Sequence, residues 1–306
     1  MKIWIAKAVI QKTISFLPYK HRINYLFQKF VTKGVLLTDA LMDDKLTHCS
    51  NHLKYYAKYG NKPEGFISLE IGTGWYPIVP IGLFLAGADE IYTIDISSLL
   101  QTTAIHQTIT KLLEYYGSGK LQTYLPVIKM ERLEVLRAAL LLNSEPESIL
   151  ETMHIRTTVG DARKMPFPDA KMDLINSNNT FEHIPESILA DILVEFKRVL
   201  NPNGVMSHQI DMSDHFAHLD KSITIYNFLQ FTDVQWNRID NSIQPQNRLR
   251  IADFRRLHQQ AGFKIVEEIN RPGSINDLKR VKLADKYKPY SETDLAVSHT
   301  LMVSKK

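Results

Sequence analysis

The spacing of apolar and polar residues along the chain predicts an α/β protein. Short apolar runs that end in polar or glycine-rich turns alternate with stretches whose apolar residues recur every three or four positions. The predicted strands are 66–71, 90–95, 157–159, 173–177, 205–211, 263–268 and 297–303, and helices are predicted at 77–86, 186–200 and 251–261. Because strand–helix–strand order favours parallel pairing, the pattern predicts a doubly wound sheet.

Two further regions have helical spacing outside this alternation. The first sixty residues carry two apolar sets at helical spacing, Tyr25, Leu26 and Phe30 in one and Leu46, Leu53 and Tyr56 in the other. Proline and glycine at 61–65 then interrupt the pattern. We therefore predict an N-terminal helical cap (1–62) and a sheet domain (63–306). The sheet domain carries a helical insertion at about 112–155 and an insertion at about 213–250 that covers the acceptor.

Composition and charge narrow the class of protein. The chain has 306 residues, of which 44% are hydrophobic, and a net charge of +4. These values are typical of a soluble globular protein and do not favour nucleic acid as the main partner. The single cysteine, Cys49, excludes a disulfide framework and a cysteine-rich zinc site, and it favours a reducing, cytoplasmic location.

The N-terminal segment is apolar but is interrupted by lysine, and no apolar run approaches the roughly 20 residues that span a bilayer. We predict that it forms a helix that docks on the rest of the chain. The alternative is peripheral contact with a membrane surface, through a face made of Trp4, Ile5, Val9 and Phe16.

Residues 70–74, Glu-Ile-Gly-Thr-Gly, lie where the first predicted strand gives way to a helix. Glycine at such a turn permits positive φ angles and lets the backbone approach a ligand closely. Asp95 ends the next strand, where an acid accepts the ribose hydroxyls of a nucleoside. Pro77 stands in place of the third glycine of a dinucleotide fingerprint, and the carboxylate of Glu70 suits a cation better than a pyrophosphate.

Six segments, in this order along the chain, resemble the motifs of class I S-adenosylmethionine-dependent methyltransferases, in particular those that act on small molecules. They are 70–74, Asp95, 160–162, 165–183, 200–204 and 254–263, and the resemblance covers about residues 64 to 306. It implies a Rossmann-like sheet of seven mostly parallel strands, with S-adenosylmethionine as the cofactor. Tyr76 departs from the family, which often has a glycine there, and we expect Trp75 and Tyr76 to close over the methionine moiety.

The resemblance also implies which residues bind the cofactor. In the family pattern the acid after strand two holds the ribose, and the Gly-Asp-Ala segment places Asp161 at the adenine amino group and Ala162 at its ring. The full implied set is Glu70, Gly72, Thr73, Gly74, Asp95, Ile96, Asp161, Ala162 and Asn178.

Methyl transfer to a hydroxyl needs a base, and the sequence offers candidates after the fifth strand. Ligands bind at the carboxyl ends of strands in open α/β sheets, so we predict the base among His208, Asp211 and His215. His183 is a further candidate to line the acceptor pocket, whereas Asp214 is also typical of a helix cap. A metal site is the alternative, because His and Asp recur every three or four residues here, but we do not predict one, because alternate side chains in this segment face opposite sides of the chain.

A small or medium-sized polar acceptor, such as a sugar, a natural product or a peptide intermediate, is favoured over nucleic acid. Residues 176–179 lack the Asn/Asp-Pro-Pro-aromatic run of methyltransferases that act on the exocyclic amines of bases. Methylation at C5 of a pyrimidine needs a cysteine nucleophile, and Cys49 lies outside the sheet domain. Aromatic and amide residues within 223–250 suit such an acceptor, with core packing as the alternative for about half of the aromatic residues. Arg248 and Arg250 either hold an acidic group of the acceptor or lie on the surface. We favour O-methylation. The alternatives are a nicotinamide-dependent oxidoreductase and a non-catalytic scaffold of the same fold.

Overall fold

A computed structural model describes residues 3–18, 23 and 36–306. Seven strands form one sheet in the order β3-β2-β1-β4-β5-β7-β6. They are β1 (Ile67–Ile71), β2 (Glu90–Asp95), β3 (Ile155–Val159), β4 (Met172–Asn178), β5 (Leu200–Asp211), β6 (Lys264–Pro272) and β7 (Val297–Lys305). The first five pair in parallel, and β7 runs antiparallel to both β5 and β6. The predicted seven-stranded, mostly parallel sheet is confirmed.

Helices precede the sheet, connect its strands and cover its faces. In the described residues they are α1 (Ile3–Ile14), α2 (Asp39–Tyr59), α3 (Ile78–Leu85), α4 (Thr102–Gly117), α5 (Met130–Ala139), α6 (Pro146–Glu151), α7 (Glu186–Val199), α8 (Asp233–Ile239), α9 (Ile251–Gln260), α10 (Ile275–Lys279) and α11 (Glu292–Ala296). The segment predicted to be helical at 112–155 is thus divided among α4, α5 and α6. Gly119, with φ 77°, follows the end of α4, and Ile155 already belongs to β3.

The core continues from the sheet into α2. Met42, Leu46, Cys49 and Tyr56 of this helix are buried, because their spacing of three or four residues puts them on one face, and Leu53 packs beside them. That face packs against α3, where the Cys49 thiol lies 3.8 Å from the Val79 carbonyl oxygen. The predicted face of Leu46, Leu53 and Tyr56 is therefore confirmed. The division of the chain at residue 62 stays a proposal.

The first helix docks on the segment that follows β5. The Trp4 ring lies 5.8 Å from Phe216 and 6.0 Å from Phe231, and the Trp4 amide donates to Asp220. Val9 and Phe16 are exposed, and Phe16 lies beyond the end of α1, so the four residues of the predicted membrane face do not lie together. Tyr25, Leu26 and Phe30 fall outside the described residues. No described helix combines the length and the apolarity that crossing a membrane would require.

Candidate cofactor and acceptor site

A cleft of about 640 Å³ opens at the carboxyl ends of β1, β2 and β4. β1 pairs with β2 on one side and with β4 on the other, so the connections leave β1 in opposite directions. A sheet has a crevice at such a switch point. The cleft walls contain all nine residues that the sequence pattern assigned to cofactor binding: Glu70, Gly72, Thr73, Gly74, Asp95, Ile96, Asp161, Ala162 and Asn178.

The glycine turn after β1 needs glycine for two physical reasons. Gly72 and Gly74 have φ angles of 78° and 69°, which side-chain-bearing residues rarely adopt. A Cβ atom at Gly72 would also lie 2.6 Å from Cγ2 of Thr180. Thr180 itself donates a hydrogen bond to the Ile71 carbonyl over 3.2 Å. The turn is therefore packed against the segment that follows β4, which fixes one wall of the cleft.

Asp95 ties the glycine turn to the end of β2. Its Oδ2 accepts a hydrogen bond from the Gly74 amide over 3.2 Å, and Oδ1 accepts one from the Ser97 amide over 3.0 Å. The neighbouring side chain of Ile96 is 77% exposed in the cleft wall, which gives a flat apolar ring a surface to contact. Asp161 is ion-paired with Arg163 over 2.6 Å, and this hydrogen-bonded partner lowers the pKa of Asp161.

The surroundings of the Glu70 side chain indicate whether the cleft fits a cationic cofactor. Its side chain is buried, and Oε1 accepts a hydrogen bond from Asn178 Nδ2 over 2.8 Å. Its Oε2 has no hydrogen-bond partner within the described part of the chain. Burial, with a smaller contribution from the negative charge of Asp95, raises the pKa of Glu70 to about 8. An orphaned carboxyl oxygen of this kind fits the ammonium group of S-adenosylmethionine, and Lys45 in the same cleft wall fits its carboxylate.

A buried hydrogen-bond network extends from Glu70, and the sequence analysis missed it. Asn178 donates to Glu70, so its Oδ1 accepts from His52 Nε2 over 3.0 Å. The other ring nitrogen of His52 then accepts from the Ser207 hydroxyl over 2.7 Å. Burial lowers the pKa of His52 to about 3, which keeps the imidazole neutral. A signal was available in the sequence, because His52 lies on the apolar face of α2 beside Cys49.

Of the four predicted catalytic residues, His183 alone lines the cleft. Its Nδ1 donates to the Pro245 carbonyl over 2.6 Å, which leaves Nε2 unprotonated. Burial, followed by the proximity of His215, lowers the pKa of His183 to about 4, so the ring is neutral at pH 7. Asp211 and His215 lie behind it, 3.4 Å apart, and the rings of His183 and His215 are 5.1 Å apart.

His208 does not reach the cleft, which corrects the sequence-based prediction. It is fully buried, hydrogen-bonded to Ser177 over 2.9 Å and stacked on Phe181 at 4.2 Å. Side chains alternate along β5, so His208 and Ser207 point to opposite faces of the sheet, and only Ser207 joins the His52 network. Asp214 caps the 3₁₀ turn at His215–His218 by accepting a hydrogen bond from the Phe216 amide, which agrees with the sequence-based suggestion of a capping role.

The segment 213–250 meets the cleft through a loop and not through its aromatic residues. The cleft wall includes Ser242, Ile243, Gln244 and Pro245. Asn247 fixes this loop beside His183 by donating to the carbonyls of Phe181 and Ile184 over 2.7 and 2.8 Å. The buried aromatic residues instead form a separate core with α1, namely Tyr226, Phe228 and Trp236 together with the partly buried Phe231.

Arg248 and Arg250 are structural, so the prediction that they hold an acidic acceptor is wrong. Arg250 is completely buried, and its guanidinium donates to the carbonyls of Met212, Leu295 and Val297. Arg248 is 4% exposed and donates to the Phe228 and Phe231 carbonyls, beside an ion pair with Asp233. Both guanidinium groups thus donate to backbone carbonyls inside the protein and do not face the cleft.

Comparison with known proteins matches one part of the chain to a methyltransferase family. Residues 116–207 match a family model described as a methyltransferase domain. The matched range includes β3, β4 and most of β5, with Asp161, Asn178 and His183, while the glycine turn and Asp95 lie before it. No curated protein matches the chain.

Several solved structures are similar to this chain. A TehB-like S-adenosylmethionine-dependent methyltransferase from Corynebacterium glutamicum has 11% identity and a TM-score of 0.44, covering 95% of this chain and 100% of its own. The 1,6-didemethyltoxoflavin-N1-methyltransferase of Burkholderia thailandensis has 11% identity and a TM-score of 0.47, with coverages of 93% and 86%. Geranyl diphosphate C-methyltransferase from Streptomyces coelicolor has 10% identity and a TM-score of 0.45, with coverages of 84% and 78%. Residues 116–207 thus match a methyltransferase domain, and the seven-stranded sheet around them has the Rossmann-like fold of S-adenosylmethionine-dependent methyltransferases.

Proposed function

We propose that the enzyme methylates a hydroxyl group of a small or medium-sized polar organic molecule, and that His183 accepts the hydroxyl proton. The observation that carries this proposal is the placement of the His183 ring, which lines the cleft while Nδ1 donates to Pro245. Nε2 is thereby left as a proton acceptor in the cleft wall.

The polar groups around His183 suit an acceptor that carries several hydroxyl or amide groups. Ser242 and Gln244 come from the loop on one side of His183, and Asn179 comes from the end of β4. Ile184 and Pro245 add apolar surface to the same cleft. A few polar groups within a mostly apolar wall are typical of a site that orients a small organic ligand.

The protein contributes mainly by positioning the cofactor and the acceptor and by accepting one proton. When bound, S-adenosylmethionine would supply a methyl group activated by a positively charged sulfur, with a neutral thioether as the leaving group. His183 Nε2 would take the proton of the acceptor hydroxyl as that oxygen is methylated. Holding the two reactants in line supplies much of the rate, and general base catalysis adds about 10²–10⁴-fold.

His183→Gln tests the assignment in an assay of S-adenosylhomocysteine release over a panel of sugars, natural products and peptide intermediates. We expect kcat for a hydroxyl acceptor to fall at least about 100-fold while cofactor affinity, measured by calorimetry, is retained. His154→Asn is a matched control, because His154 is an exposed histidine before β3 and its φ of 56° suits asparagine. Normal turnover of a hydroxyl acceptor by His183→Gln refutes the base assignment, and turnover of carboxylate acceptors alone refutes the acceptor class.

A further inference from the structure

Three histidines surround one carboxylate behind the cleft wall. Asp211 Oδ2 lies 3.4 Å from His215 Nε2 and 3.8 Å from His218 Nε2, and Asp211 Oδ1 lies 3.4 Å from His299 Nε2. One potential ligand atom from each of Asp211, His215 and His218 lies within 4.8 Å of the other two. Metal–ligand bonds of about 2.0–2.2 Å put neighbouring ligand atoms about 3.0–3.5 Å apart, so the Asp211–His215 separation already fits and His218 must move closer to Asp211.

Local structure explains why residues that are separated in the sequence converge here. Asp211 is the last residue of β5, and the antiparallel register pairs it with His299 of β7. Asp214 then caps a 3₁₀ turn over His215–His218. Residues three apart eclipse each other in a 3₁₀ turn, which brings His215 and His218 to one side. The turn removes the sequence-based objection that alternate side chains face opposite directions.

A second observation points independently to a cation at this place. Glu182 is buried, and neither of its carboxyl oxygens has a hydrogen-bond partner within the described residues. One of these oxygens lies within 4.8 Å of ligand atoms of His183 and His215. A buried carboxyl group without partners has lost the hydrogen bonds that water would give it, and a divalent cation at this place would offer its oxygens a partner.

We propose that Asp211, His215 and His218 bind one divalent transition-metal ion, which Glu182 faces from the buried side. Two imidazoles with a carboxylate favour Zn²⁺, Fe²⁺ or Co²⁺ over Mg²⁺ and Ca²⁺, which prefer oxygen ligands throughout. Three protein ligands leave coordination positions open, and the side chain of His218 is 58% exposed, which gives the ion a route from solvent. Metal binding at this site does not depend on the identity of the acceptor.

The test uses untagged, chelator-treated protein and two probe ions. Co²⁺ is titrated while its visible absorption is recorded, and Zn²⁺ binding is measured by calorimetry. We expect one ion per chain, and we expect His218→Ala and the isosteric Glu182→Gln to weaken binding at least about tenfold. His154→Asn again serves as the control, since it removes an exposed histidine far from the cluster.

The outcomes separate this proposal from the methyltransferase assignment. S-adenosylmethionine affinity is measured for each variant, and its retention shows that the sheet and the cofactor cleft are intact. His218 is exposed, so its substitution does not disturb the core. Absence of a stoichiometric cobalt spectrum in the wild-type protein, or equal metal affinity in wild type and His218→Ala, overturns the metal site whatever the cofactor does.

Discussion

Replacement of Glu70 by glutamine keeps the shape of this side chain and removes its ability to carry a negative charge. The pKa of Glu70 is raised to about 8, mainly by burial, so the free protein is largely protonated at this position at pH 7. The amino-acid ammonium of the cofactor favours the ionised carboxylate. Binding therefore releases a proton, and cofactor affinity rises as the pH rises toward 8.

The magnitude follows from the ionised fraction of Glu70 in the free protein. With a pKa near 8, that fraction increases about eightfold between pH 6.5 and pH 7.5, which corresponds to about 1.2 kcal/mol of binding free energy. The α-amino group of the cofactor also titrates near pH 8, but its contribution is the same for wild type and Glu70→Gln. The ratio of the two dissociation constants isolates the carboxyl group.

Calorimetry at both pH values, in buffers of different ionisation enthalpy, measures affinity and proton release together. At pH 6.5 we expect the wild-type protein to release nearly one proton more per bound cofactor than the Glu70→Gln protein releases. The difference in affinity between the two proteins should narrow at the lower pH, where the wild-type side chain is neutral. Identical pH dependence in the two proteins would refute the claim that Glu70 ionises against the cofactor.

Three further changes test other parts of the structure. Asp95→Ala should weaken S-adenosylmethionine binding at least about tenfold, or about 1.4 kcal/mol, and an unchanged affinity by calorimetry contradicts the ribose assignment. Gly82→Ala places a Cβ 2.7 Å from the Cys49 sulfur, so we expect about 1–3 kcal/mol of destabilisation in urea unfolding, and less in a Cys49→Ala background. An equal loss in both backgrounds rules out the steric explanation. Burial also raises the pKa of the Cys49 thiol, so a disulfide reagent should label it at the unfolding rate, and rapid labelling of the native protein contradicts its burial.

The parts of the fold that could be predicted from the sequence are those encoded locally. The strand that ends at Ile71, the glycine turn and the strand that ends at Asp95 each have their own local pattern, and the structure reproduces β2 residue for residue. Cofactor-binding residues lie at the ends of such strands, so their convergence follows once the strands pair in parallel.

The acceptor side could not be predicted in the same way, because its contacts depend on register and on turn geometry. The pairing of Asp211 with His299 requires the antiparallel register of β5 and β7, which no local pattern specifies. Likewise, a difference of one residue along β5 decides which side chain faces α2: Ser207 does so, whereas His208 faces the opposite side of the sheet. Arg250 misled the prediction because a buried arginine that donates to backbone carbonyls has no sequence signature.

The network from Glu70 to Ser207 makes α2 a part of the cofactor site. Glu70, Asn178 and Ser207 belong to three neighbouring strands, and His52 of α2 joins the last two. The hydrogen bond between His52 Nε2 and Asn178 Oδ1 holds the Asn178 amide in the orientation in which Nδ2 donates to Glu70. Loss of α2 packing would leave Asn178 free to turn its amide, with a carbonyl oxygen toward a carboxylate. The helix before the sheet therefore sets the hydrogen bonding of Glu70, the acid that we propose to meet the cofactor.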